Sequence, residues 1–148
     1  MTPICNIRLC AEKPHRLPLP DPQDMSLGAE LKRERLKREW SQKDTAKYFG
    51  VLKDSYQNWE WNKYIPHVKY RKKVVEFLGY NYWEDGTNSL SNKCLLYRIE
   101  YGLTMNELAL QINVSTRTIE RIENMEKNIS SEMKNRIMNL LYNKTILP

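Results

Sequence analysis

Side chains able to do covalent or metal chemistry are sparse in this chain. Among 148 residues there are two histidines, His15 and His67, and three cysteines, Cys5, Cys10 and Cys94. An odd cysteine count without paired spacing reads as reduced thiols. Cys5, Cys10 and His15 fall at even intervals, but no fourth ligand completes a zinc set, so an ordinary tail is the preferred reading. Glycines at 28, 50, 79, 86 and 102 cannot form a dinucleotide fingerprint or a phosphate-cradling loop. Zinc-protease and nucleophile-elbow motifs are absent too. No catalytic constellation, metal site or cofactor is therefore expected. What the chain offers is cations and hydrogen-bonding groups, with a net charge of +6. Two sets stand out: Lys53, Asp54, Gln57 and Asn58, and then Thr116, Arg117, Glu120 and Arg121, at the same spacing 63 positions on. Such side chains can address the donors and acceptors on base edges.

These sets need helices to present them. Ser26 is a suitable N-cap, after which Leu27, Leu31 and Arg35 share one face of a first helix, with Lys32, Arg33, Lys37 and Arg38 elsewhere on it. Trp40 follows as a core residue at a turn. Ser41 caps a second helix and Asp44 completes a capping-box-like pair; Ala46 and Phe49 face inward, Ala46 being small enough for a close crossing. Gly50 ends that helix in the left-handed region. A third helix is predicted over about Lys53–Trp61, with Tyr56 and Trp59 inward, so that Lys53, Asp54, Gln57 and Asn58 point outward. Asn62 is a plausible left-handed terminator. Pro66 is predicted to start a fourth helix with Tyr70, Val74, Phe77 and Leu78 as its apolar stripe. Tyr80, Tyr82 and Trp83 should cover a junction.

A shift of 63 positions rebuilds the whole pattern without a gap. Leu31 maps to Cys94, Arg35 to Arg98, Ser41 to Thr104, Ala46 to Ala109, Gly50 to Asn113, Tyr56 to Ile119, Trp59 to Ile122 and Glu60 to Glu123. Few positions are identical, but apolar positions stay apolar. The organisation expected is a proline-rich arm at 1–25, a module at 26–80, a linker at 81–89 with Asp85-Gly86 as its turn, a second module at 90–143 and a tail at 144–148. Pro14, Pro18, Pro20 and Pro22 bar a helix from the arm, leaving an extended strap that is either packed on the first module or loose.

Ser41-Gln42, Ala46, Gly50-Val51, Trp59-Glu60 and Pro66 together resemble the Cro/C1-type (xenobiotic-response-element) helix-turn-helix family of transcriptional regulators. The resemblance covers Ser26–Tyr80 well and Leu90–Asn143 more weakly. It implies an all-α, lambda-repressor-like fold of four to five helices per module, in tandem, each placing its third helix in the major groove. It further implies base contacts from Lys53, Asp54, Gln57, Asn58, Thr116, Arg117 and Arg121. Lys53 could donate to guanine and Asn58 could pair with adenine; Asp54 could accept from cytosine or simply cap. Phosphate contacts would come from Gln42, Lys43, Lys63, Arg71 and Lys72. Ion pairs Arg35–Glu60 and Arg98–Glu123 would pin the first helix of each module to the third. Met105 stands where the first copy has Gln42, and Leu52 where the second has the capping Ser115.

The expected function is a sequence-specific double-stranded-DNA-binding regulator, a repressor acting by operator occupancy, in the bacterial cytoplasm and nucleoid. The second module would either read DNA as well or mediate a homodimer. The other reading is a protein-interaction module such as an antitoxin or adaptor. The amino terminus lacks an apolar signal core, and no stretch approaches the ~18 apolar residues of a membrane span. No segment remains for a small-molecule-binding domain once both modules are placed.

Overall fold

A computed structural model describes residues 19–125 and 129–144, apart from the side chains of 143 and 144. Cys5, Cys10, His15 and most of the arm lie outside the described residues, as do residues 145–148. The described residues form eight helices and no strand: α1 Leu27–Lys37, α2 Gln42–Phe49, α3 Lys53–Glu60, α4 Val68–Leu78, α5 Leu90–Tyr101, α6 Met105–Gln111, α7 Thr116–Glu123 and α8 Ser131–Lys144. Each of the last four begins 63 positions after its counterpart among the first four.

Capping sets these boundaries. Ser26 Oγ accepts from the Ala29 amide at the head of α1, and Ser41 and Asp44 form a reciprocal capping box at the head of α2. Thr104 and Glu107 do the same for α6. Gly50 closes α2 with φ of 72°, a conformation that costs a residue with a Cβ. Asn62 and Asn113 take φ of 54° and Met125 takes 56°, so the left-handed turns after α3, α6 and α7 are made without glycine. The fourth helix starts at Val68 with His67 as its cap, two residues later than Pro66 suggests. Proline disfavours the helical region for the residue before it, so Pro66 marks the approach to the helix and not its cap.

Two hydrophobic clusters form. The first is aromatic: Phe49 lies edge-on to Tyr48, Trp59 and Phe77 and stacks on Tyr56, over Leu31, Ala46 and Val74. The second is aliphatic, built from Leu108, Ala109, Ile119, Ile122, Ile137 and Leu141 around Cys94. Burial, with the nearby Glu123 charge, pushes the Cys94 thiol up to about 12, which marks it as inert packing. Tyr82 and Trp83 pack on the first cluster, and α4 lies against both α1 and α5. Tyr80, expected with them, stays on the surface.

Gly28 decides how closely α1 meets α3. A Cβ there would collide with the Glu60 carbonyl oxygen and stand 2.8 Å from Asn62 Oδ1. The space is used instead by Asn62, whose Oδ1 accepts from the Gly28 amide at 2.8 Å while its Nδ2 donates to Ser26 Oγ. At the matching crossing of α5 and α7, Ser91 Oγ donates to the Glu123 carbonyl at 2.7 Å.

The described end of the arm lies on the first four helices. Arg33 donates to the Asp21 and Asp24 carbonyls, the Tyr82 hydroxyl donates to the Met25 carbonyl, and Leu19 borders a cleft with Leu36 and Trp40.

Candidate nucleic-acid interface

The outward edge of α2 and α3 carries the candidate site. Lys43, Lys53 and Asp54 are exposed, while Gln57 and Asn58 are half-buried along the flank of α3. Lys32, Lys43 and Lys53 border a cleft of about 470 Å³ together with Ser41, Gln42 and Trp61. Its lining includes the first two residues of α2 and the first of α3, so helix-head N–H groups and lysines favour negative charge there.

Arg35 and Glu60 lie in the wall of that cleft. Arg35 Nε donates to Glu60 Oε1 at 2.5 Å, and its terminal nitrogens donate to Glu60 Oε2 and to the Trp40 carbonyl. Both side chains are buried. Burial disfavours the Arg35 charge, but the hydrogen bonds and charge of Glu60 outweigh it and hold the guanidinium above its ordinary pKa. Gln42 Nε2 donates to Glu60 Oε2 at 2.8 Å. The first residue of α2 is therefore tied to the end of α3, leaving one amide proton of Gln42 for another partner. Tyr56, fully buried beside this pair, has its phenol raised far above the ordinary value, chiefly by desolvation and next by Glu60.

The corresponding edge of α6 and α7 is built differently. Thr116, Arg117 and Glu120 are exposed and Arg121 is half-buried. Thr116 Oγ1 donates to Asn106 Oδ1 at 3.1 Å, joining the two helices where Lys53 and Lys43 stand in the first copy. Arg98 and Glu123 form an ion pair at 2.6 Å, with one guanidinium nitrogen bonded to both carboxylate oxygens. Met105 supplies no counterpart to the Gln42 bond.

Several expected phosphate contacts are placed elsewhere. Arg71 is half-buried between α4 and α5: Nε donates to the Pro66 carbonyl, and the guanidinium lies 5.1 Å from the centre of the Trp83 ring. Burial and then the positive charge of Arg98 lower its pKa. The guanidinium expected at a phosphate is thus engaged within the protein, at the Pro66 carbonyl and the Trp83 ring. Lys72 is exposed but engaged with Glu100 across the same junction at 2.6 Å. Lys63 is exposed, with its ammonium 4.7 Å from the centre of the Trp61 ring. Of the basic residues on α1, Arg33 holds the arm and Arg38 lies over Phe77 while donating to the Phe77 carbonyl. Lys32 borders the cleft, beside the Glu60-paired Arg35.

Residues 96–141 match the family model described as Helix-turn-helix. Residues 96–141 thus match the Cro/C1-type helix-turn-helix family. The matched stretch runs from within α5 to the middle of α8, so the model finds the last four helices, where the residue pattern resembles the family more weakly. Comparison with curated proteins and with solved structures gave no match. Regulators carrying this domain bind DNA with it, and no helix among the described residues is long and apolar enough to cross a membrane.

Proposed function

We propose that the chain regulates transcription by occupying specific double-stranded DNA sites, acting as a repressor, and that it is built as two helix-turn-helix units. The first, 26–80, is the main reader. The observation that carries this is the placement of cations. Lys32, Lys43 and Lys53 border the cleft at the heads of α2 and α3, and Asp54, Gln57 and Asn58 follow Lys53 along α3. At the same offsets the second unit has Leu95, Asn106 and Thr116, and no cation among them. Lysines there position the helix on phosphate, and the α3 side chains read bases.

Each phosphate contact adds a counterion-release term to the salt dependence of binding. Lys43→Gln and Lys53→Gln are each expected to weaken binding to all duplexes and to reduce the slope of log affinity against log salt by about 1. A fluorescence-anisotropy titration checks this. Unchanged slopes in both variants would remove the first unit from the interface.

A second reading, in which the second unit contacts protein, is favoured by Leu110. It is 71% exposed on the outer face of α6, where the first unit has Lys47. In that reading a second copy meets it, and the DNA site is a palindrome with one reading helix per protomer.

A further inference from the structure

Leu52 has no role in packing α3. It occupies the N-cap position with extended backbone, φ −68° and ψ 149°, and makes no capping hydrogen bond. At 78%, it is the most exposed of the large apolar residues described. Ser115 stands at the matching position before α7 with φ −75° and ψ 149°, and its Oγ accepts from the Thr118 amide. The backbone at 52 would therefore accept a serine that capped the helix. Leucine forgoes that bond and sets an apolar side chain in water.

The surroundings say what it could meet. Leu52, Ser55 and Asn58 follow one another along α3 and line one side of a cleft of about 570 Å³; Tyr64, Ile65 and Tyr70 also line it. Lys53 and Asp54, next in sequence, are exposed at the same end of the helix. If this end enters the major groove, Leu52 enters with it. The base edges there carry hydrogen-bonding groups and one apolar group, the C5-methyl of thymine. We infer that Leu52 is a specificity-determining residue that selects thymine at one position of the site by contact with this methyl. The inference rests on the first unit being the DNA reader.

The test uses the full chain and a duplex enriched by selection from random DNA. Each thymine in the enriched motif is replaced in turn by deoxyuridine, which removes the methyl and keeps the base pair. Burying one methyl corresponds to about a fourfold change in affinity. The wild type is expected to lose about that factor at one position. Leu52→Ser, which gains a cap, is expected to melt no lower than the wild type and to bind both duplexes equally. A wild type indifferent to deoxyuridine at every position, or an undiminished difference in Leu52→Ser, overturns the role of Leu52 while leaving the enriched motif standing. Loss of self-association in Leu52→Ser without DNA would assign the side chain to a second copy instead. Absence of any enriched motif overturns both this inference and the DNA-reading function.

Discussion

Arg35 and Glu60 make the tightest electrostatic contact between α1 and α3. Glu60 receives three donors, two from Arg35 and one from Gln42, and the side chains of the ion pair are buried. Removing one partner of such a pair strands a buried charge, at a cost of roughly 3–5 kcal/mol. Arg35→Ala is expected to lower unfolding free energy by that amount in a urea titration. Arg98→Ala is expected to cost less, because its carboxylate partner has no glutamine counterpart and is somewhat more exposed. An equal or larger loss for Arg98→Ala would contradict this ranking. These pairs are legible in sequence through the resemblance to the helix-turn-helix family, with which the recurrence of both partners at one offset agrees. Arg71 is not legible in the same way. Its neighbours Trp83 and Arg98 reach it only when α5 docks on α4, a contact that no local periodicity encodes.

At the scale of elements, helix crossings and helix heads do the positioning. Gly28 lets the end of α3 approach α1 closely, and Asn62 locks that approach. Gly28→Ala is expected to cost about 1–3 kcal/mol, since the added methyl meets backbone oxygen rather than a yielding side chain. A thermal melt of the variant at or above the wild-type midpoint would mean that the crossing is looser than described. The capping boxes add a pH dependence. Hydrogen bonds from Ser41 hold Asp44 below its ordinary value of 3.8, and those from Thr104 hold Glu107 below its ordinary 4.5. A carboxylate depressed in the folded state stabilises the fold fully above its unfolded pKa and loses that contribution as pH falls through the depressed value. The melting midpoint should therefore drop on acidification below about pH 4. Asp44→Asn should flatten part of that drop, and an identical acid profile in the variant would exclude Asp44 as a contributor. The serine, threonine and glycine boundaries of these helices were readable as sequence. The clasp of Asn62 on α1 was not, because Asn62 reads only as a turn residue until α1 and α3 are brought together.

For the whole molecule, both parts of the chain are net basic, and the family likeness is found in the second. Residues 1–90 hold 16 Lys and Arg against 12 Asp and Glu, and residues 91–148 hold 8 against 6. The helix-turn-helix family model matches in the second half, at 96–141, yet the lysines that border a cleft at two helix heads stand in the first. A family model scores a whole pattern of caps and core positions, and the second copy has a full Thr104–Glu107 box and a Ser115 cap, whereas the first has Leu52 at the latter place. The second half thus keeps the pattern of caps, while the lysines bordering the cleft stand in the first. The central claim, that the first unit reads bases, is tested most directly by selecting duplexes from a random library with the wild type, Asn58→Ala and Arg121→Ala. The account predicts an enriched motif that Asn58→Ala loses or alters at an adenine and that Arg121→Ala retains. A motif lost only with Arg121→Ala, or no motif and binding that merely vanishes with salt, would contradict it.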